Sequence, residues 1–339
     1  MTCTVIVGGF FGDEGKGKIM SYLSLKDNPK IAVRGGVGPN AGHTVVFEGK
    51  EFKLRMLPSA IINKSTQLMI GPGVLVDPNV LLREIETFSA HDRVKVDRQC
   101  GVIEEKHIEM DRADAYLKGK IGTTGTGCGP ANVDRVKRVG KVCRDIESLS
   151  KYVDDVPLLV NEAIAKGETV HVEGTQGTFI SLFHGTYPFV TSKDVTASAI
   201  CSDVGIGPKA VDDVIVVFKA YVTRVGGGDL PGELPPEEAE KRGWLEKATV
   251  TGRIRRSAPF NFDLARRAVM LNSATQIAIT KFDVLFPETK NLREFSRLPS
   301  EAKKMIDRIE DATGVPVTII STGAEAEATI DRRKELGFL

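Results

Sequence analysis

The sequence predicts an α/β fold, a central and mostly parallel sheet with helices on both faces and long loops carrying the sites. Three observations predict it. Short β-branched runs, Thr4-Val5-Ile6-Val7 and Val214-Ile215-Val216-Val217-Phe218 among them, are apolar throughout, as strands covered on both faces are. Segments with helical spacing alternate with these runs. Glycine-rich loops follow the strands, at the ends where open parallel sheets collect ligands. The chain has 339 residues with no repeat or low-complexity tract, and is expected to form a single domain over residues 1–339.

The first strand runs into Gly12-Asp13-Glu14-Gly15-Lys16-Gly17-Lys18 and then into the helical Ile19-Met20-Ser21-Tyr22-Leu23. The spacing Gly12-x4-Gly17-Lys18 has the form of a phosphate-binding loop, so the fold is of the P-loop nucleotide hydrolase kind. Glycines let backbone N–H groups turn toward phosphate oxygens, the helix adds the positive end of its dipole, and Lys18 is expected to supply a mobile cation. Ile19 stands where a hydroxyl would normally bind Mg²⁺, so another oxygen must hold the metal. Asp13 and Glu14 put carboxylates in a place meant for anions, which costs energy unless a metal or a reacting proton requires them. Asp13 is read as a working residue; a glycine-rich turn with solvated charges is the alternative.

Ile31-Ala32-Val33-Arg34 reads as the next strand, ending in the loop 35–44 with four glycines, one proline and His43, a residue suited to proton transfer or else a structural histidine. Residues 45–47 and 52–54 read as a hairpin. Residues 68–71 read as a strand, and Asp77-Pro78 as the cap and first position of a helix. Residues 121–130 form a second Gly/Thr loop, followed by the basic cluster Asp134-Arg135-Val136-Lys137-Arg138. Together these are either a phosphate-monoester site or a flexible surface loop. Residues 145–167 read as helical and 169–174 as a strand, in which His171 is structural; this counts four strand-end loops, after residues 9, 34, 121 and 174. Past His184, Thr191 is a further hydroxyl in a turn-rich segment. Residues 226–236 read as a long irregular excursion. Arg253, Arg255 and Arg256 beside Thr251-Gly252 suit fork-like binding of carboxylate or phosphate, with a solvated basic turn as the alternative. Thr280-Lys281-Phe282-Asp283 ends a strand with a guanine-recognition pattern. The aspartate accepts from the ring N1–H and the 2-amino group, and adenine has no such donor pair. A helix over 299–313, a strand over 315–320 and the loop Ser321-Thr322-Gly323 close the chain.

The 46 basic and 45 acidic residues nearly cancel, against a general nucleic-acid or membrane-surface binder. Five scattered cysteines show no metal-ligand spacing and suit a reducing compartment. With no signal-like or eighteen-residue apolar stretch, the protein is expected to be soluble and cytoplasmic.

Taken together, Gly12 to Lys18, Asn40-Ala41-Gly42-His43-Thr44, Ile121 to Gly125, Glu173 to Thr178, His184 to Thr191, Thr251-Gly252-Arg253, Thr280 to Asp283 and Ser321 to Gly323 resemble the adenylosuccinate synthetase family. The resemblance implies a Mg²⁺-dependent homodimeric ligase that joins IMP and L-aspartate while GTP becomes GDP and phosphate. It implies catalysis by Asp13, His43, Lys18 and Gln176. IMP would be held by Asp13, Lys16, Asn40, Ala41, Gly42, His43, Thr124, Gln176, Thr191 and Arg253, with Arg138 reaching the neighbouring subunit's site. Val250, Thr251, Gly252, Arg253, Ile254 and Arg255 would bind aspartate. GTP would lie against Gly12 to Lys18 (with Glu14, Gly15 and Gly17), Gly42, His43, Thr44, Arg255, Lys281, Phe282, Asp283, Ser321, Thr322 and Gly323. Asp13 and Gly42 would hold Mg²⁺. Phe11 stands where many members have Trp, Ile254 interrupts an arginine run, and the chain is shorter than most members between Arg138 and Glu173 and between Asp283 and Ser321. Two other readings compete: a regulatory GTPase, and an enzyme of the same fold with a different purine or amino-acid acceptor.

Overall fold

The computed structural model describes residues 3–247 and 252–339. One sheet takes its strands in the order Thr329–Asp331, Val317–Ser321, Gln276–Thr280, Asp213–Lys219, Cys3–Gly8, Val170–Glu173, Ile31–Arg34, Gln67–Ile70, Val94–Asp97 and Val153–Asp154. Only the pairing of Val317–Ser321 with Thr329–Asp331 is antiparallel. Alternate residues of the apolar runs serve two cores. Val5, Val7, Val216 and Phe218 enter one, while Ile6, Ile215 and Val217 enter the other. That is why these strands carry no polar face.

Local signals act where they were read. Asp77 Oδ1 accepts from Asn79 N at 3.0 Å and Val80 N at 3.2 Å, starting the helix Pro78–Thr87. Such a cap contributes about 1 kcal/mol. The helix Ser300–Thr313 stops at the left-handed Gly314. The strands His43–Phe47 and Lys50–Leu54 pair across Glu48 and Gly49, both at positive φ as a tight two-residue turn requires.

Two expectations need correction, and one open alternative is removed. Residues 145–167 are not one helix: Val156–Ala165 is helical, and Val153–Asp154 is the last strand of the sheet. Pro157 lies in the helix's first turn, where a longer helix would clash with its ring, and the Asp155 side chain caps the start. Residue 121 ends no strand; it closes the helical turn Leu117–Ile121, so the second Gly/Thr loop is not a strand-end loop. Residues 134–137 end the helix Cys128–Lys137, with Arg138 as its left-handed cap, rather than lying in a flexible loop.

The arginine run is not a turn either. Ile254–Pro259 is the middle strand of a small sheet between Tyr221–Arg224 and Glu246–Lys247. Tyr221–Arg224 follows Asp213–Lys219 after the single residue Ala220, which places this sheet over the carboxyl ends of the main strands. No helix among the described residues is long and apolar enough to cross a membrane.

Candidate active site

The loop after the first strand is braced from within. Glu14 is buried; its Oε1 accepts from Phe10 N at 3.0 Å and Gly12 N at 2.8 Å, and its Oε2 pairs with Lys16 Nζ at 2.9 Å. Lys16 also donates to the Gln176 carbonyl. Gly15 caps the helix Lys16–Asp27 in the left-handed region at φ 84°. At Gly17 a Cβ would lie 2.9 Å from Ser59 Oγ and 3.0 Å from His43 Cβ, so glycine there lets the helix start approach the histidine.

Lys18 is not the mobile cation expected of it. Its Nζ donates to the carbonyls of Glu325, Ala326 (2.6 Å) and Ala328 (3.3 Å) and to Thr329 Oγ1 (2.8 Å). Burial pushes its ammonium down to about 7, against the pull of Glu325 and Asp283. Two residues apart on a helix, Lys16 and Lys18 leave in different directions. Lys16 stays with the loop, and Lys18 ties the helix to the turn at 325–329.

Three loops meet beside this brace. Gln176, itself at positive φ, donates from Nε2 to Asn40 Oδ1 at 3.0 Å, and Asn40 Nδ2 lies 3.4 Å from Thr191 Oγ1. His43 Nδ1 is 2.5 Å from Glu173 Oε1, and Glu173 also accepts from Ser59 N at 2.7 Å and Ser59 Oγ at 2.6 Å. Burial lowers the histidine below its ordinary range despite Glu173. Burial also opposes ionisation of Glu173, but His43, Arg34 and Ser59 outweigh it and hold the carboxylate below its usual range. Of the two partners the carboxylate carries the charge, so the imidazole is neutral with its proton on Nδ1.

The arginine strand closes the other side. Arg255 Nε is 2.8 Å from Asp13 Oδ2, and its Nη1 donates to Glu246. Arg253 donates to the carbonyls of Gly122 (2.9 Å) and Thr123, bringing the loop that holds Thr124 to the site. Ile254, between them, is exposed. Arg256 is engaged elsewhere, by Glu233 at 2.7 Å and the carbonyls of Gly226 and Gly228. Val250 and Thr251 lie outside the described residues; Gly252 is exposed at φ 68°.

The guanine motif touches the phosphate loop directly: Thr280 Oγ1 donates to the Glu14 carbonyl at 2.5 Å. Lys281 takes the left-handed conformation and caps the short helix Phe282–Leu285, which carries Asp283. Phe282 belongs to the core, fully buried with its ring 5.0 Å from Phe286, so its side chain is not available to a nucleotide. The Thr322 hydroxyl is likewise turned away, onto Leu292 O at 2.7 Å, whereas Ser321 Oγ folds onto Gly323 O at 3.1 Å. Ala41 O faces Arg34 Nη2 at 3.4 Å, and Gly42 and Thr44 flank His43 where loop becomes hairpin. Arg138 stands apart, exposed at its helix end.

Four groups escaped the sequence reading: Glu173, Ser59, Lys219 and Glu246. Glu173 was legible as the last residue of a strand before Gly174. Nothing local marks the other three.

A model of the adenylosuccinate synthetase family matches residues 5–148, 139–289 and 286–330. Adenylosuccinate synthetase of Methanocaldococcus jannaschii is 57% identical over 99% of this chain and 98% of its own. That of Archaeoglobus fulgidus is 56% identical over 99% of both. These relatives are matched nearly end to end, so they share the short length. Fully ligated adenylosuccinate synthetase from Plasmodium falciparum has the same fold, with a TM-score of 0.91 at 24% identity over 97% of this chain and 99% of that one. The cyanophage S-2L succinoaminodeoxyadenylate synthetase bound to dGMP and dATP gives a TM-score of 0.78 at 26% identity over 99% of this chain and 98% of that one. The chain belongs to the adenylosuccinate synthetase family.

Proposed function

We propose that this chain carries out its family's reaction, the GTP-dependent joining of IMP and L-aspartate to adenylosuccinate in AMP biosynthesis, with Asp13 as the base. Asp13 takes the proton from N1 of IMP. The 6-oxygen then attacks the γ-phosphorus, its bond to the bridging oxygen breaks, and GDP leaves. The amino group of aspartate next attacks C6 of 6-phosphoryl-IMP and displaces phosphate. An amide-like oxygen is a poor leaving group until phosphorylated, which is why the nucleotide is spent first. The observation that carries this reading is the 2.8 Å pair between Asp13 and Arg255, which joins the base to the strand assigned to the amino acid.

Glu173 occupies Nδ1 of His43, so Nε2 is the ring atom left to face the transferring phosphoryl group, and it donates there only once the neutral ring has taken up a second proton. Asn40, Gln176 and Thr191 hold IMP, supported by their mutual contacts. Arg253 and Arg255 take the aspartate carboxylates, and Asp283 reads guanine while Lys281 lies along the base. Lys16, rather than Lys18, is the loop's cation toward the nucleotide.

Among the described residues no three His, Cys, Asp or Glu converge as a metal cage. That suits Mg²⁺, which binds through one or two carboxylates and takes other positions from phosphates and water. Asp13 and Gly42 would hold it, and it would neutralise charge on the transferring phosphoryl oxygens.

A homodimer is supported by Arg138 standing exposed near the exposed Val133, Val136 and Val139, a strip that a second subunit can cover. One sheet running from Cys3–Gly8 to Thr329–Asp331 supports a single domain over residues 1–339. Five buried free cysteines suit the cytoplasm.

The test incubates the protein with Mg²⁺, GTP, IMP and L-aspartate, omits each substrate in turn, and replaces GTP by ATP in one arm. Adenylosuccinate and GDP in equal amounts, only in the complete GTP mixture, are expected. GDP released without IMP or aspartate would favour a GTPase, and full turnover with ATP would overturn the guanine assignment.

A further inference from the structure

Glu246 belongs to no motif read from the sequence, yet its carboxylate gathers cationic groups from three elements around the site. Oε2 accepts from Lys219 Nζ at 3.0 Å and from Arg255 Nη1. Oε1 accepts from the Tyr221 hydroxyl and lies 3.8 Å from Lys281 Nζ. Lys219 ends a central strand, where it pairs with Thr280, so it sits next to the guanine motif. Glu246 is in direct antiparallel register with Arg255, which puts both side chains on one face of the small sheet. Arg255 is thereby held by a hydrogen bond from Nη1 to Glu246 and by an ion pair with Asp13, whose Oδ2 lies 2.8 Å from Nε without accepting a hydrogen bond from it, and neither carboxylate uses Nη2. Beneath this, the chain's one tryptophan, Trp244, stacks on Tyr221 with ring centroids 4.7 Å apart and planes 3° from parallel. That stack fixes the Tyr221 hydroxyl that Glu246 uses.

We propose that Glu246 is a positioning residue: a shared acceptor that aligns Arg255 for the amino-acid carboxylate and Lys281 for the guanine base, and so couples the two sites. It rests on the roles given above to Arg255 and Lys281. A guanidinium left with only an ion pair to Asp13 can swing about its flexible stem, whereas a hydrogen-bonding acceptor fixed in the sheet presets its orientation before substrate arrives. A surface ion pair would carry no such consequence. Here Arg255, Lys219 and Glu246 are all largely buried, and only Lys281 reaches solvent.

Glu246→Gln keeps the size and removes the charge. KM for aspartate is expected to rise about tenfold or more and KM for GTP about threefold, with KM for IMP within about twofold, on the scale of losing one charge-assisted hydrogen bond. Glu246→Asp should fall between the two. The lone tryptophan gives a readout apart from turnover: Trp244 fluorescence, titrated with aspartate in the presence of GTP and IMP, should show the same weakening. An unchanged or lower KM for aspartate would overturn the proposal, the lower value marking Glu246 as a stand-in that substrate displaces. A fall in melting temperature with unchanged KM values would also overturn it, since that is a purely structural role. Should Glu246→Gln not fold, Tyr221→Phe removes one partner without touching charge, and aspartate KM should rise about twofold. Arg255→Met separates the two levels of argument. If it leaves aspartate KM unchanged, the underlying reading of Arg255 fails; if it raises aspartate KM while Glu246→Gln does not, only the proposal fails.

Discussion

At the carboxyl ends of the strands Arg255 lies between Asp13 and Glu246, and at the amino ends Arg333 lies between Asp27 and Asp331. Arg333 is buried, Arg255 is largely so, and both hold two acidic residues. Arg333 is held through all three of its nitrogens: Nη1 and Nη2 grip Asp27 at 2.9 and 3.0 Å, and Nη2 and Nε grip Asp331 at 2.7 and 3.1 Å. Asp27 is further held by His171 at 3.2 Å. The Arg255 network is unsaturated, and two of its members, Asp13 and Lys281, are 28% and 47% exposed. A closed network pins the last part of the chain to the first helix. An open one keeps donors and acceptors in reserve for a ligand.

The distinction breaks if substitutions in the two networks have the same phenotype. Asp13→Ala should lower adenylosuccinate formation by about 10³-fold or more while GTP binding stays measurable by calorimetry, on the scale of losing a general base. Substantial remaining turnover would remove Asp13 from that role. Arg333→Met leaves two carboxylates facing each other without their cation. It should cost about 3–5 kcal/mol in urea unfolding, with KM values unchanged, because breaking a buried pair strands the remaining charge.

Acid sharpens the comparison. Burial works against ionisation of Glu246, but Lys219, Lys281, Tyr221 and Arg255 hold it down to about 2, below its ordinary 4.5. A carboxylate depressed in the folded state adds stability that is fully present above its unfolded value and is lost as pH falls from about 4.5 toward 2. The loss should be on the order of 3 kcal/mol. Urea midpoints taken at falling pH should show it, and Glu246→Gln should flatten that slope. The smallest effect expected is on base selection. Asp283→Asn should reduce the preference for GTP over ITP, which lacks the 2-amino group, by about tenfold. An unchanged ratio of kcat/KM values would mean that Asp283 does not read the base.

Much of this site was legible because its chemistry is local. A glycine loop between strand and helix, a strand-end Thr-Lys-x-Asp and a capped helix at Asp77 each declare themselves within a few residues, since backbone conformation and hydrogen bonding act at that range. The same locality explains the misreadings. Lys18 matched the lysine position of a phosphate loop, but where a side chain goes depends on what the helix packs against, and here that is a turn about 300 residues later. The apolar content of residues 145–167 suggested one helix, whereas the sheet recruited Val153–Asp154 as its final strand.

From its residues alone the chain declares the double-sided strands, the order of the phosphate and guanine loops, and the carboxylate at Asp13, because strand burial and loop geometry follow from neighbours in sequence. The pairing of Asp13 with Arg255, the Glu173 partner of His43 and the four contacts of Glu246 came from the strand order and from a small sheet standing over its ends. Apart from Arg255 and Glu246, nine residues apart across a strand pair, those groups are separated by tens to hundreds of residues, and only packing brings their charges within reach of one another.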